Sequence, residues 1–133
     1  MFRCLIVDDS PRFAAAARGL LEGGDIAVVG VAATGAEALW RAAEMRPDFA
    51  LVDIDLGEQS GFDVVRRLHR EAGLAPSRLI LISTHAEQDY AELIEASPVV
   101  GFLSKTELST AAIHELLRRA HDDEGPVSGL PGR

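Results

Sequence analysis

Short apolar runs, each leading to an isolated polar residue, set the terms for any fold this chain can adopt. Cys4-Leu5-Ile6-Val7 runs into Asp8-Asp9, Phe49-Ala50-Leu51-Val52 into Asp53, Leu79-Ile80-Leu81-Ile82 into Ser83, and Val99-Val100-Gly101-Phe102-Leu103 towards Lys105. Runs so short and uniformly apolar read as strands buried on both faces. A further strand is expected from Ile26 to Ala32. Between the runs the apolar residues recur at helical spacing. Phe13, Ala16, Ala17, Leu20 and Leu21 follow Ser10 as N-cap and Pro11 at the first helical position, and Gly23-Gly24 stops that helix. Thr34 with Glu37 opens a second helix with an inner face of Ala38, Leu39, Ala42 and Ala43, ending near Arg46-Pro47. A loop from Asp55 to Ser60 precedes a helix around Phe62, Val65 and Leu68, closed by Gly73 and Pro76. Glu87 to Ala96 reads as a weak helix and Ser97-Pro98 as a break. Ser109 caps a last helix carrying Ile113, Leu116, Leu117 and Ala120.

Strand and helix thus alternate five times. Such alternation demands parallel strands joined by right-handed crossovers, a doubly wound α/β sheet with helices on both faces. Ligands of open parallel sheets bind beyond the carboxyl ends of the strands, so Asp8, Asp9, Asp53, Ser83 and Lys105 are expected to share one pocket. Singly, each has a plain structural reading. Asp8-Asp9 makes a solvated turn capped by Ser10, Asp53 a loop acid, Ser83 and Lys105 surface residues, and Phe102 core. Their joint placement is what points to a site.

With 133 residues the chain makes one domain, and its single Cys4 forms no internal disulfide. Cys4 is expected to be an inert buried strand residue, and His69, His114 and His121 lack metal-ligand spacing. The apolar stretch at the amino end is too short for a signal peptide and nothing approaches membrane-spanning length, so a cytoplasmic, membrane-free protein is expected. A formal charge of −8, from 21 acidic against 13 basic residues, argues against direct nucleic-acid binding. Glycine and proline crowd the segment from His121 to Arg133, which is expected to have no fixed fold.

Three carboxylates within a few ångströms repel one another unless a cation intervenes. Oxygen ligands without His or Cys favour Mg²⁺ or Mn²⁺, and Mg²⁺ commonly bridges to phosphate. A carboxylate is also a competent nucleophile towards phosphorus, while a lysine and a hydroxyl can hold phosphoryl oxygens.

In combination these residues resemble the receiver domain of two-component response regulators, the CheY-like family. The likeness spans about Arg3 to His121. It rests on Val7-Asp8-Asp9-Ser10, on Leu51-Val52-Asp53-Ile54 with Gly61 eight residues after Asp53, on Ser83-Thr84, and on Gly101-Phe102-Leu103-Ser104-Lys105. The resemblance implies a five-stranded flavodoxin-like (βα)5 sheet of order 2-1-3-4-5, with the receiver domain over residues 1–121 and a flexible tail over 122–133. It implies that Asp53 is the phosphoacceptor, acting with Ser83 and Lys105. Asp9 would bind Mg²⁺ (or Mn²⁺) directly, Asp8 would assist, and Asp53 and the backbone carbonyl of Asp55 would complete the protein ligands. Ser83 and Phe102 would form the switch, the ring turning inward as Ser83 moves towards the phosphoryl group. Asp55, Thr84 and His85 occupy positions that tune dephosphorylation.

The implied partners are a sensor histidine kinase or phosphotransfer protein as donor and a downstream protein target, with homodimerisation through helix 4, strand 5 and helix 5 an arrangement the family uses. The chain would catalyse only its own phosphorylation and dephosphorylation. It departs from the family pattern at Gly57, where proline is usual and whose loop is expected to be mobile, at Thr84, where alanine or glycine is favoured, and at Thr106, where many receivers have proline. An alternative is the receiver of a transcription factor whose helix-turn-helix domain is absent here. A more distant one is a haloacid-dehalogenase-type phosphatase, from the Asp53-Ile54-Asp55 motif, and a third is a degenerate receiver used only for docking.

Overall fold

The computed structural model describes residues 1–128, with side chains described through residue 119. Strands β1 (Phe2–Val7), β2 (Ile26–Ala32), β3 (Phe49–Asp53), β4 (Leu79–Ser83) and β5 (Gly101–Ser104) form one parallel sheet of order β2-β1-β3-β4-β5. Helices α1 (Pro11–Leu21), α2 (Gly35–Met45), α3 (Gly61–Ala72), α4 (Ala91–Glu95) and α5 (Thr110–Ser128) cover both faces. One apolar layer joins α2 and α3 to the sheet through Ala38, Ala42, Val65 and Leu68. The other joins α1 and α5 through Ala17, Leu21, Ile113 and Leu116. Strands β3 and β4 are buried along their whole length and β1 from Cys4 to Val7, which is why these runs are apolar without alternation.

The helix signals act as expected. Ser10 Oγ accepts the Phe13 N–H at 3.2 Å, Thr34 Oγ1 accepts the Glu37 N–H at 3.1 Å, and Ser109 Oγ accepts the Ala112 N–H at 3.0 Å. Gly73 ends α3 with φ +76°, a left-handed C-cap. Arg46 ends α2 in the same region, φ +47°, at the cost that a side chain there carries.

The phase of α1 differs from expectation. Its buried residues are Ala14, Ala17 and Leu21, whereas Ala16 and Leu20 face solvent. A helix with alanine at four consecutive positions is apolar on every side, so spacing alone does not choose the inward face; packing against β1 and β2 does. Ala43, expected inward on α2, is likewise exposed.

Two further differences bear on the site. The segment read as a loop after β3 is a hairpin, Asp55–Leu56 pairing antiparallel with Gln59–Ser60, and Gly57 takes the left-handed φ of +63° at its turn. The weak helix before β5 is a 3₁₀ turn, Glu87–Tyr90, followed by the single short helix α4. Helix α5 continues to Ser128, so the expected boundary at residue 121 falls inside it, and the last five residues of the expected tail lie outside the described residues.

Candidate functional site

The register of the parallel sheet aligns the carboxyl ends of its strands. Val7 pairs with Val52, Asp53 with Ile82, and Ser83 with Ser104, so Asp8, Asp53, Ser83 and Lys105 emerge along one edge of the sheet. Asp8 and Asp53 are buried, Ser83 is fully buried and Asp9 is exposed. Carboxylate oxygens of Asp8, Asp9 and Asp53 all lie within 4.8 Å of one another. Asp8 Oδ1 accepts the Ser10 N–H at 2.8 Å, which ties the acid pair to the N-cap of α1. Asp53 Oδ1 accepts the Asp55 N–H at 3.2 Å.

Lys105 reaches across this group. Its Nζ is 2.6 Å from Asp8 Oδ2 and donates to Asp53 Oδ2 at 3.2 Å. Burial pulls the Lys105 ammonium down, but Asp8 and Asp53 more than offset this and its pKa is raised. Burial first, then the charge of Asp8, pushes the Asp53 carboxyl above its ordinary value against the pull of Lys105. One ammonium against three carboxylates leaves the pocket net negative. The Asp8 Oδ2 atom is buried, and its one close partner among the described residues is the Lys105 ammonium. Three carboxylates this close together with a single ammonium among them fit a hard divalent cation, with Asp8, Asp9 and Asp53 as the side chains to hold it.

The other expected residues fall around this core. Ser83 Oγ accepts the His85 N–H at 3.0 Å and stands 3.5 Å from His85 Nδ1. The Asp55 carboxylate lies apart from the three-acid cluster and faces His85, Oδ2 to Nδ1 3.6 Å, so only its backbone is available as the ligand the sequence suggested. Thr84 and His85 are exposed. Phe102, expected to turn inward upon switching, is already inward at 8% exposure, part of the core layer and, with Ile94 and Val99, lining one cleft.

Two neighbours were not singled out by the sequence. The ring of Phe13, read there only as part of an apolar stripe, lies 4.4 Å below Lys105 Nζ. The cue was its place one turn after the Asp8-Ser10 cap, which sets the start of α1 beside the pocket. Gln59 Oε1 accepts the Gly35 N–H at 2.7 Å, a contact between residues 24 apart that no local pattern announces.

Residues 4–118 match the response regulator receiver domain. The chain belongs to that family. This receiver is 32% identical, over 79% of its length and 30% of the relative's, to a protein-glutamate methylesterase/protein-glutamine glutaminase of Thermotoga maritima. It is 29% identical, over 77% of its length and 50% of the relative's, to the DNA-binding transcriptional activator EvgA of Escherichia coli K12. The receiver therefore spans half or less of the length of these curated relatives. Among solved structures, the signal receiver domain of a modulated diguanylate cyclase from Desulfovibrio desulfuricans superposes with a TM-score of 0.75 at 30% identity, covering 92% of this chain and 95% of that one. The response regulator domain of Thermotoga maritima CheB superposes at 0.69 and 21% identity, covering 99% of each, a likeness of fold. The match takes in Asp53-Ile54-Asp55, the segment that raised the phosphatase alternative. No helix among the described residues is long and apolar enough to cross a membrane.

Proposed function

We propose that this receiver accepts a phosphoryl group on Asp53 from a phosphohistidine of a sensor kinase or phosphotransfer protein, and that the modified pocket alters a protein-binding face. The observation that carries this is the convergence of Asp8, Asp9 and Asp53 with Lys105, whose Nζ lies 2.6 and 3.2 Å from the two buried carboxylates. An Asp53 carboxylate oxygen attacks phosphorus, the P–N bond of the donor breaks, and the imidazole nitrogen leaves with the bonding pair. Bound Mg²⁺, held by Asp8, Asp9 and Asp53 with the Asp55 carbonyl, would neutralise charge on the transferring group. Lys105 pairs with the new phosphoryl oxygens, and its displacement from Asp53 is what the modification changes first. The Ser83 hydroxyl would donate to the same group. Later attack of water on phosphorus breaks the acyl–phosphate P–O bond, releasing phosphate and restoring the carboxylate. Asp55 and His85, at the exposed rim, tune that step. Catalysis in this reading is confined to the receiver's own modification.

The responsive face is a cleft of about 500 Å³ between α4, β5 and α5, lined by Ile94, Val99, Phe102, Glu115, Leu116 and Arg119. Phe102 belongs to the core layer and pairs with Leu81 of β4, two residues before Ser83, so a change at the strand ends would reach this surface along β4 and β5. The occupant is a downstream protein or a second copy of the chain, and the setting is the cytoplasm. The relatives include both an esterase and a DNA-binding activator.

Intact-protein mass after incubation with acetyl phosphate tests the reading. One phosphoryl adduct is expected with Mg²⁺ and none with chelator or in Asp53→Asn. An adduct that forms equally without metal or without Asp53 would overturn it.

A further inference from the structure

The hairpin after β3 carries Asp55, whose backbone N–H reaches Asp53 Oδ1, and it is closed at several points. Leu56 is buried at 4% exposure. The Gly61 N–H donates to Ile54 O at 2.7 Å and brings the end of the hairpin back over β3. Gly57 sits so close to Asp9 that a Cβ placed on it would lie 3.3 Å from Asp9 Oδ2. None of these contacts joins the hairpin to α2. Gln59 does. Its Oε1 accepts the N–H of Gly35, the first residue of α2, at 2.7 Å. That amide is one of the helix-start donors that no intrahelical carbonyl can satisfy. Gly35 leaves the room required, since a Cβ there would stand 3.2 Å from Gln59 Nε2 and 3.4 Å from Oε1. The neighbouring Thr34 and Glu37 are already occupied, Thr34 with Glu37 N–H and Glu37 with Ala33 N–H at 2.7 Å. The Gly35 amide is thus left for Gln59.

From this we infer that Gln59 is a positioning residue of the metal and phosphorylation site: its bond to the Gly35 amide latches the Asp55–Ser60 hairpin to α2 and holds the Asp55 backbone in place beside Asp9 and Asp53. The inference rests on the receiver reading. Gly57, in place of the usual proline, leaves the hairpin backbone free to sample other turns, and the latch supplies from outside the restraint that the turn itself lacks. A hairpin ordered in advance does not have to be ordered when the cation binds. The gain is bounded by the net worth of one hydrogen bond to a backbone amide, about fivefold in affinity.

The test measures Mn²⁺ binding to the whole chain by the loss of the free-ion paramagnetic resonance signal, alongside hydrogen exchange at the Gly35 amide. Gln59→Met keeps length and loses the acceptor. It should bind Mn²⁺ about fivefold more weakly than wild type and lose protection at Gly35. Gln59→Glu, which retains an acceptor oxygen, should restore protection. Val28→Ala, on the opposite face of the sheet, should lower the melting temperature and leave Mn²⁺ affinity unchanged, which separates positioning from general stability. If wild type binds Mn²⁺ and Gln59→Met binds it equally, the latch is overturned and the receiver reading stands. Absence of Mn²⁺ binding by wild type would overturn the reading of the site, and the latch with it.

Discussion

Replacing Gly61 with alanine should damage fold and site together, for a reason that lies in distances alone. Gly61 opens α3 without unusual dihedral angles, so conformational freedom is not at issue. A Cβ at this position would stand 2.1 Å from Asp53 O, 2.7 Å from Ile54 Cα and 2.8 Å from Asp53 C. Ordinary contacts between such atoms lie at about 3.5 Å, so the chain must part by roughly an ångström between the end of β3 and the start of α3. All three clashing atoms are backbone, and no side chain can rotate away. Overpacking of this kind costs about 3 kcal/mol, at the upper end of its usual range. At the first position of the helix alanine returns at most about 1 kcal/mol through helix propensity, leaving a loss of at least about 2 kcal/mol. For a domain of this size that is a fall in melting temperature of about 8 °C. The atom that must move is the carbonyl of the proposed phosphoacceptor, and misplacement by an ångström can lower a rate by about a hundredfold. The acetyl phosphate reaction should therefore slow by well over the factor that lost stability explains at a temperature where the variant is folded. Gly19→Ala is the matched control. It lies in α1 with nothing within 4 Å of its would-be Cβ and should raise stability by about 0.5–1 kcal/mol. A Gly61→Ala protein that melts at or above wild type and phosphorylates normally would refute the reasoning.

Two further outcomes follow from the buried titratable groups. The Asp53 carboxyl, raised by burial and by Asp8, is neutral in folded and unfolded states below the unfolded pKa of about 3.9. As pH rises through the window between the unfolded and the folded value, the folded state holds its proton longer and stability is lost. In chelator, Asp53→Asn should thus melt with wild type near about pH 3 and above it at about pH 7, as followed by thermal denaturation; a variant less stable at neutral pH would count against a strained acid cluster. Cys4 is fully buried, and burial holds its thiol far above the ordinary thiol range, so a thiol reagent at neutral pH should label it only in denaturant. Rapid labelling of the native protein would show that β1 opens locally.

The architecture was legible in the sequence because its signals are local. An apolar run reports burial on both faces, and Ser10, Thr34, Ser109 and Gly73 mark helix ends through contacts within a few residues. Parallel strands then oblige their carboxyl ends to meet, so the gathering of Asp8, Asp9, Asp53, Ser83 and Lys105 at one end of the sheet follows from strand order. The tertiary structure decided what local signals leave degenerate. Alanine on every side of α1 gives no phase until the sheet selects Ala14, Ala17 and Leu21. The hairpin closed by Gly57 competes with an open loop, and it is held from outside by Gln59 on Gly35. Whether Phe102 points outward or inward is a choice among rotamers of one residue that no local pattern encodes, and in the fold it joins the core layer. Spacing along the chain encodes which strand ends meet, whereas contacts such as Phe13 under Lys105 and Gln59 on Gly35 join residues far apart in sequence and exist only once the layers have packed.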